Sequence, residues 1–317
     1  MQTIFNVIVP IFGLIAIGYA VARLKILSHE KGDALTSFVF MIGVPSLLFH
    51  TLAGSEMKAA NPLLLWAVYF GCVAINWTIA SILVRKIAGA DRRKSVIAGV
   101  AASAKNGVFV GIPAVELAYG QPGLQVLLLI IAVHLPVIMM TSTILTEWAA
   151  VVDAREPGRN PVPMSSGGAL RRVAKNLGTN PLVIGLALGA VWFTFGLPLG
   201  PLDEITASLG RTASPLALFA LGMSLDRYSV RGDIASTLIA STLSIVLLPV
   251  LVYFVGSQVL SPLWLKVAVL MAACPAGINC YVLAGYFGSG QRMAAATILI
   301  TTLASVFGLS FWLTALG

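Results

Sequence analysis

The sequence AKNGVFVGIPAV occupies residues 104–115, and the sequence ACPAGINCY occupies residues 273–281. Each lies inside a long apolar run and carries a proline with neighbouring glycines, Pro113 in the first and Pro275 in the second. A proline within a helix removes a backbone hydrogen bond and clashes with the preceding turn. In a bilayer, the freed backbone groups must be satisfied by protein or by a water-filled cavity. The two stretches therefore predict two broken membrane helices that cross at a ligand site.

Composition supports the membrane setting. The 317 residues are 58% hydrophobic and 10% charged, and the mean hydropathy is +0.94. Soluble domains carry about 25% charged residues, whereas one membrane-spanning helix needs about 20 apolar residues. The chain is thus predicted to be an all-α integral membrane protein with ten transmembrane helices. The predicted spans are 4–24, 33–53, 62–84, 95–119, 123–147, 177–196, 203–225, 234–256, 263–287 and 293–315.

Basic residues fall almost wholly on one side of these spans. Of the twenty lysines and arginines, only Lys58 and Lys266 lie in loops of the opposite side, and Lys105 and Arg211 lie within spans. Cytoplasmic loops carry the excess of positive charge. Both termini are therefore predicted outside the cytoplasm. The net charge of +8 reflects this topology, and nucleic acid is not expected as a partner.

The longest polar stretch divides the chain. It covers residues 149–176 and contains EPGRNPVPMSSGG, a composition typical of a linker. It predicts a cytoplasmic linker between two five-helix halves, 1–148 and 177–317. Because each half has an odd number of spans, the second is inverted relative to the first, as in many secondary transporters. Pro45 in VPSLLFHTLA and Pro215 in SPLALFALGM stand at corresponding positions, so four broken spans are predicted.

Several polar residues near the breaks are candidates for ligand binding. A charge in the bilayer costs roughly 2.5–3.5 kcal/mol, so Lys105 is expected to face a cavity and attract an anion. Arg211 either faces the same cavity or reaches the surface and pairs with an acidic side chain there. Asn106 and Asn279 are expected to bind the anion. His134 is a candidate for substrate contact or coupling, because its protonation can change near neutral pH.

Other chemistries find little support. The chain contains no GxSxG, HExxH or Walker sequence, so neither an enzyme nor an ATP-driven pump is predicted. The three cysteines, Cys72, Cys274 and Cys280, are too few and scattered for a zinc site. No metal and no cofactor are expected. Gly111 and Gly277 accompany the prolines at the predicted breaks.

The chain resembles the auxin efflux carrier family over nearly its whole length. The resemblance rests on KNGVFVGIPAVELAYG at 105–120, PSLLFHTLA at 45–53 and ACPAGINCYVLAGYFG at 273–288. It implies a 5 + 5 inverted repeat whose fourth and ninth helices cross at Pro113 and Pro275, with substrate between Asn106 and Asn279. The resemblance to the bacterial permease branch implies a location in a bacterial inner membrane. It also implies a small dicarboxylate such as malonate or malate, moved by alternating access.

Three alternatives stay open. One is a sodium-coupled organic-anion symporter resembling the bile acid symporters, and another is an auxin-like monocarboxylate efflux carrier. The third is a non-transporting membrane receptor or scaffold. The expected partners are a small organic anion and the lipid bilayer; a coupling proton or sodium ion and a homodimer are left open.

Overall fold

The computed structural model describes residues 2–54, 62–154, 178–228 and 233–317, together with Lys175. Most of the predicted linker 149–176 lies outside these residues. The described chain is helical apart from short connections and one isolated antiparallel bridge. The α-helices are α1 (Gln2–Arg23), α2 (His29–Phe38), α3 (Val44–Ala53), α4 (Pro62–Ile87), α5 (Arg92–Ser103), α6 (Ile112–Ala154), α7 (Pro181–Thr194), α8 (Pro201–Leu225), α9 (Ile234–Thr242), α10 (Leu248–Gly256), α11 (Pro262–Ala273), α12 (Asn279–Tyr286) and α13 (Gln291–Leu316). Three π-helices join neighbouring elements: π1 (Val39–Gly43), π2 (Gly107–Gly111) and π3 (Leu243–Leu247).

Within the described residues, six helical stretches are long and apolar enough to cross a membrane. They are Phe5–Arg23, His29–Ala53, Pro62–Ile87, Gly107–Ala149, Ile234–Gly256 and Gln291–Leu316, and two shorter apolar helices are Pro181–Thr194 and Pro262–Ala273. The longest stretch is two segments, because it turns at Gly120, whose φ of 60° favours glycine. The prediction of an all-α, multi-pass membrane protein is confirmed.

The helices pack as two groups. In the first, α1 lies along α8, and α3 packs against α7 and α8. Glycines bring these backbones together: a Cβ added at Gly18 would lie 2.1 Å from Phe219 O, and one added at Gly222 would lie 2.1 Å from Ile15 O. Small residues at such crossings allow the close packing that holds membrane helices together. This group forms a panel beside the rest of the molecule.

The second group contains the two interrupted helices. It consists of α4, α5, α6 and α9 to α13, which pack around the ends of α5 and α11. Small side chains are frequent in the two helices that end at the interruptions, and the runs 96–102 and 267–273 are buried along their whole length. Small residues such as alanine let the backbones pack closely. The ends of the two interrupted helices are therefore held firmly.

Each π-helix is explained by a proline that follows it. In each case the residue after the π-helix donates its N–H to the first π carbonyl, five residues earlier. The next carbonyl would need the N–H of Pro45, Pro113 or Pro249, and proline has none. One carbonyl per π-helix therefore lacks a donor in its own helix. These carbonyls belong to Phe40, Val108 and Ser244.

The positions of the prolines correct three predicted breaks. The fourth predicted span is interrupted at residues 104–106, between α5 and π2, and Pro113 lies farther on as the second residue of α6. Pro45 follows π1 within the continuous stretch His29–Ala53, and Pro215 lies inside the unbroken helix α8. The prediction of four broken spans is therefore wrong. A widened turn accommodates Pro45 and Pro113 without opening the helix.

Candidate functional site

Two extended segments cross between the interrupted helices. Helix α5 ends at Ser103 and π2 begins at Gly107, whereas α11 ends at Ala273 and α12 begins at Asn279. The segments run antiparallel and exchange two backbone hydrogen bonds. The N–H of Asn106 donates to Pro275 O at 2.9 Å, and the N–H of Gly277 donates to Ala104 O at 2.8 Å. This crossover bridge satisfies backbone groups that the interruptions leave free.

Local sequence favours the bridge. The side chain of Asn106 accepts the N–H of Phe109 at 3.2 Å and so caps the start of π2. Pro275 and Gly277 both lie in the second segment. A Cβ added at Gly277 would stand 3.0 Å from Lys105 O and 3.2 Å from its carbonyl carbon. The two backbones therefore approach so closely at this point that only glycine fits without a shift. Gly111 is the last residue of π2, and a Cβ added there would lie 3.5 Å from Cys274 Sγ.

A cavity of about 150 Å³ lies beside the crossover bridge. It is lined by five of the residues predicted from the sequence: Lys105, Asn106, His134, Gly277 and Asn279. The other lining residues are Asn180, Gly107 and the apolar residues Phe40, Val108, Phe109, Ile131, Leu135, Met139, Leu182, Met271 and Ile278. None of these described residues is acidic. The cavity thus joins a few polar groups to apolar walls, as small-molecule sites do.

His134 is held in one orientation and one tautomer. The backbone N–H of Lys105 donates to His134 Nε2 at 3.1 Å, so Nε2 carries no proton and the neutral ring carries its proton on Nδ1. The ring stacks against Phe70 at a centroid distance of 6.2 Å and meets Tyr69 edge-on at 5.8 Å. His134 therefore offers a fixed N–H donor.

Two donors at the cavity lack partners among the described residues. They are Nδ1 of His134 and Nδ2 of Asn106, both buried. A buried donor without an acceptor costs about 1–3 kcal/mol, so an acceptor brought within hydrogen-bond distance would stabilise both. The arrangement is suited to bind the oxygens of an anion or of another strong acceptor.

The ammonium group of Lys105 is occupied inside the protein. Although Lys105 lines the cavity, its Nζ donates to Ser244 O at 2.7 Å and to Ser244 Oγ at 2.6 Å. Ser244 belongs to π3, which lies between the two crossing segments along the chain. Lys105 thus supplies a nearby positive charge, while its hydrogen bonds are directed to Ser244.

Arg211 lies away from the cavity. Its side chain is 65% exposed and donates to Glu204 at 2.7 Å and to Ser208 at 2.8 Å. The two open sequence-based alternatives for Arg211 were the cavity and a surface pair, and the structure shows the surface pair. A predicted substrate-binding role for Arg211 is therefore not supported by its position.

We expect Arg211→Ala to leave ligand binding within twofold of the wild type and to change thermal stability only slightly. Exposed ion pairs contribute about 0–1 kcal/mol. The measurements are carboxylate affinity and melting temperature, each compared between the purified variant and the wild type. A tenfold loss of binding with unchanged melting would return Arg211 to the site.

Sequence reasoning missed two participants. Asn180 caps α7 by accepting the N–H of Leu182 at 2.9 Å and also lines the cavity. An asparagine next to a proline at a helix start reads simply as a cap, so only the fold shows its second position. Ser244 was missed because a serine in an apolar run carries no sign of its partner. The sequence LSIVLLP, with a proline six residues after the first leucine, was the available signal.

Comparison with known proteins agrees with this picture. A family model described as "Membrane transport protein" matches residues 3–313. A protein of Rhizobium meliloti (strain 1021) named "Putative malonate transporter" is 28% identical over 314 residues, which cover 96% of this chain and 93% of that one. An "Uncharacterized transporter" of Methanothermobacter thermautotrophicus is 27% identical over 316 residues, with coverage of 98% and 96%. The "Uncharacterized transporter YfdV" of Escherichia coli O157:H7 is 23% identical over 317 residues, with coverage of 96% and 95%.

Proposed function

Because the chain belongs to the family of membrane transport proteins, the auxin efflux carrier family that its motifs resemble, we propose that it is a secondary active transporter of small organic anions. The anion binds in the cavity at the crossover bridge and is moved by alternating access. The observation that carries this proposal is a pair of buried donors without partners among the described residues, Asn106 Nδ2 and His134 Nδ1, on two residues that line the cavity.

Three features favour an anion over a neutral or cationic ligand. The buried side-chain atoms of the described lining residues that lack a partner are donors, these residues include no carboxylate, and Lys105 places a positive charge nearby. The segments that line the cavity also begin helices at Gly107 and Asn279. Helix N-termini attract negative charge through their free N–H groups.

The cavity size limits the anion. Sites for drug-sized ligands measure about 300–1,000 Å³, so a cavity of about 150 Å³ suits a ligand of few atoms. The relative named a malonate transporter suggests a short dicarboxylate, malonate or malate. One carboxylate would accept from Asn106 and His134, and the second would lie toward Asn279 or Asn180. A bulky aromatic acid of the auxin type fits less well.

We propose the full architecture as ten spans in two inverted halves, 1–148 and 177–317, with a cytoplasmic linker at 149–176. The fourth and ninth spans are then the interrupted helices. Since Asn180 follows the linker directly, the cavity lies toward the cytoplasmic side in this conformation. The panel of α1, α3, α7 and α8 would serve as the scaffold against which the crossover group moves.

Cysteine labelling tests this topology. We expect Ser257→Cys to react with an impermeant thiol reagent from outside intact cells and Ser166→Cys to react only in inverted vesicles, because the basic loops are cytoplasmic. Ser257 is exposed, and the three native cysteines are buried, so the background is low. Reaction of both sites from the outside would contradict the proposed orientation.

The functional experiment combines binding with transport. Malonate, malate and succinate should raise the melting temperature of the purified protein, because a ligand of the native state stabilises it. Acetate should do so less, and an auxin-like aromatic acid least. Radiolabelled malonate should then exchange across proteoliposomes. Binding without exchange would favour the non-transporting receptor, and failure of every carboxylate in both assays would overturn the proposal.

A further inference from the structure

The most unusual charge in the molecule is the buried ammonium of Lys105. The residue is 5% exposed, and its Nζ is held by two oxygens of one residue, Ser244 O and Ser244 Oγ. The ion pairs found among the described residues do not include Lys105. An ammonium buried in a membrane protein is normally neutralised by a carboxylate or by a ligand. Here it is bound by neutral oxygens, as a small monovalent cation would be.

The sequence builds this oxygen site. In π3, the N–H of Leu248 donates to Leu243 O, so it is unavailable to Ser244 O. The next N–H along the helix would come from residue 249, which is proline. Ser244 O therefore has no donor in its own helix and is free to accept from Lys105. The side-chain hydroxyl of the same residue supplies the second oxygen.

We propose, on the basis of the proposed function, that Lys105 is a tethered cation in an oxygen site formed by Ser244, and that it takes the place of a dissociable coupling cation. The anion then binds to the neutral donors Asn106 and His134, while the fixed charge of Lys105 compensates its charge through a medium of low polarity. His134 contacts the same residue through the backbone, since the Lys105 N–H donates to its Nε2.

The first test uses the wild-type protein. Anion binding and exchange should be unchanged within twofold when sodium and potassium are replaced by N-methylglucamine on both sides of the liposome. A loss of tenfold or more in either measurement would mean that a dissociable cation is needed, and would overturn the proposal.

The second test empties the oxygen site and refills it. Lys105→Ala removes Cγ, Cδ, Cε and Nζ, which are the heavy atoms of n-propylammonium. We expect the variant to lose malonate binding by tenfold or more, and n-propylammonium to restore it to within about threefold of the wild type. The neutral n-propanol, of nearly the same size, should not. A folded variant that binds malonate like the wild type, or that n-propylammonium fails to restore, would contradict the proposal.

A matched pair of serines localises the site. Ser241 and Ser244 are both buried on the same helical stretch, but Ser241 Oγ has no partner among the described residues. In the Lys105→Ala background, Ser244→Ala should weaken n-propylammonium binding about tenfold, since a hydrogen bond to a charged group is lost. Ser241→Ala should leave it unchanged. Equal effects of both substitutions would place the cation elsewhere.

The melting temperature separates this inference from the proposed function. Stabilisation of Lys105→Ala by n-propylammonium needs no anion, so it reports on the oxygen site even if no carboxylate binds the wild type. If carboxylates fail and n-propylammonium still stabilises the variant, the proposed function is wrong and the cation site stands. If the single variant does not fold, the sodium-replacement measurement on the wild type still decides.

Discussion

Gly277→Val should abolish anion binding and lower the melting temperature of the protein more than any other single change at the cavity. The first added carbon would stand 3.0 Å from Lys105 O and 3.2 Å from the Lys105 carbonyl carbon, and both atoms belong to the backbone of the opposite segment. Overpacking in a close-packed interior costs about 1–3 kcal/mol, occasionally more. We expect the upper end, because a backbone held by a reciprocal hydrogen bond cannot rotate away as a side chain can. Gly277→Ala should fall between the wild type and valine.

The matched control is Gly71→Val. Gly71 lies on an exposed face of α4, and a Cβ there meets nothing within 4 Å. The Gly71→Val substitution should leave malonate affinity unchanged and alter the melting temperature only by the small effect of helix propensity. Malonate affinity and melting temperature of the three variants, measured in the same detergent, decide the matter. Wild-type binding by Gly277→Val would show that the crossover bridge can open without loss of the site.

Asn106→Asp should reduce carboxylate binding by about a hundredfold and also lower stability, because a buried charge in the bilayer is unfavourable. Two atoms of the Asn106 side chain differ in their contacts: Oδ1 accepts from the N–H of Phe109, whereas Nδ2 has no partner among the described residues. Aspartate keeps the cap, for which it is as suitable as asparagine. It replaces the donor by an acceptor and adds a negative charge beside the anion. The lost charge-assisted bond is worth about 1.5–3 kcal/mol, and repulsion adds to it.

Asn106→Ser separates donor loss from charge repulsion. Serine also keeps a capping oxygen but adds no charge, so its binding should be about tenfold weaker than the wild type. Isothermal titration with malonate at fixed pH and salt gives the three affinities. If aspartate and serine bind equally well, the anion does not lie beside Asn106, and the donor of His134 becomes the main contact.

The sequence alone predicted several of the residues that line the cavity, for physical reasons. An intramembrane lysine beside an asparagine, and a proline with a glycine in a second apolar run, are costly in lipid. Such residues are therefore confined to places where protein or a cavity compensates them. Lys105, Asn106 and Gly277 do meet at one cavity, and Pro275 lies in the extended segment beside it.

What the sequence did not determine depended on partners distant along the chain. The interruption of the fourth predicted span was placed at Pro113, whereas the effect of that proline falls on a carbonyl five residues earlier and is absorbed by π2. The partner of Lys105 was predicted to be the anion, but Ser244 is 139 residues away in sequence and holds the ammonium. No local pattern reports such a pairing. For Arg211, the seven-residue spacing to Glu204 is visible in the sequence. The sequence does not show whether the arginine side chain faces the cavity or the surface.

The crossover bridge also has a mechanical consequence. A single hydrogen bond between two segments would allow one segment to rotate relative to the other about that bond. Two reciprocal bonds, from Asn106 to Pro275 and from Gly277 to Ala104, remove that freedom and fix the relative twist of the two interrupted helices. A rearrangement that keeps both bonds must therefore move the two helices together, as one unit.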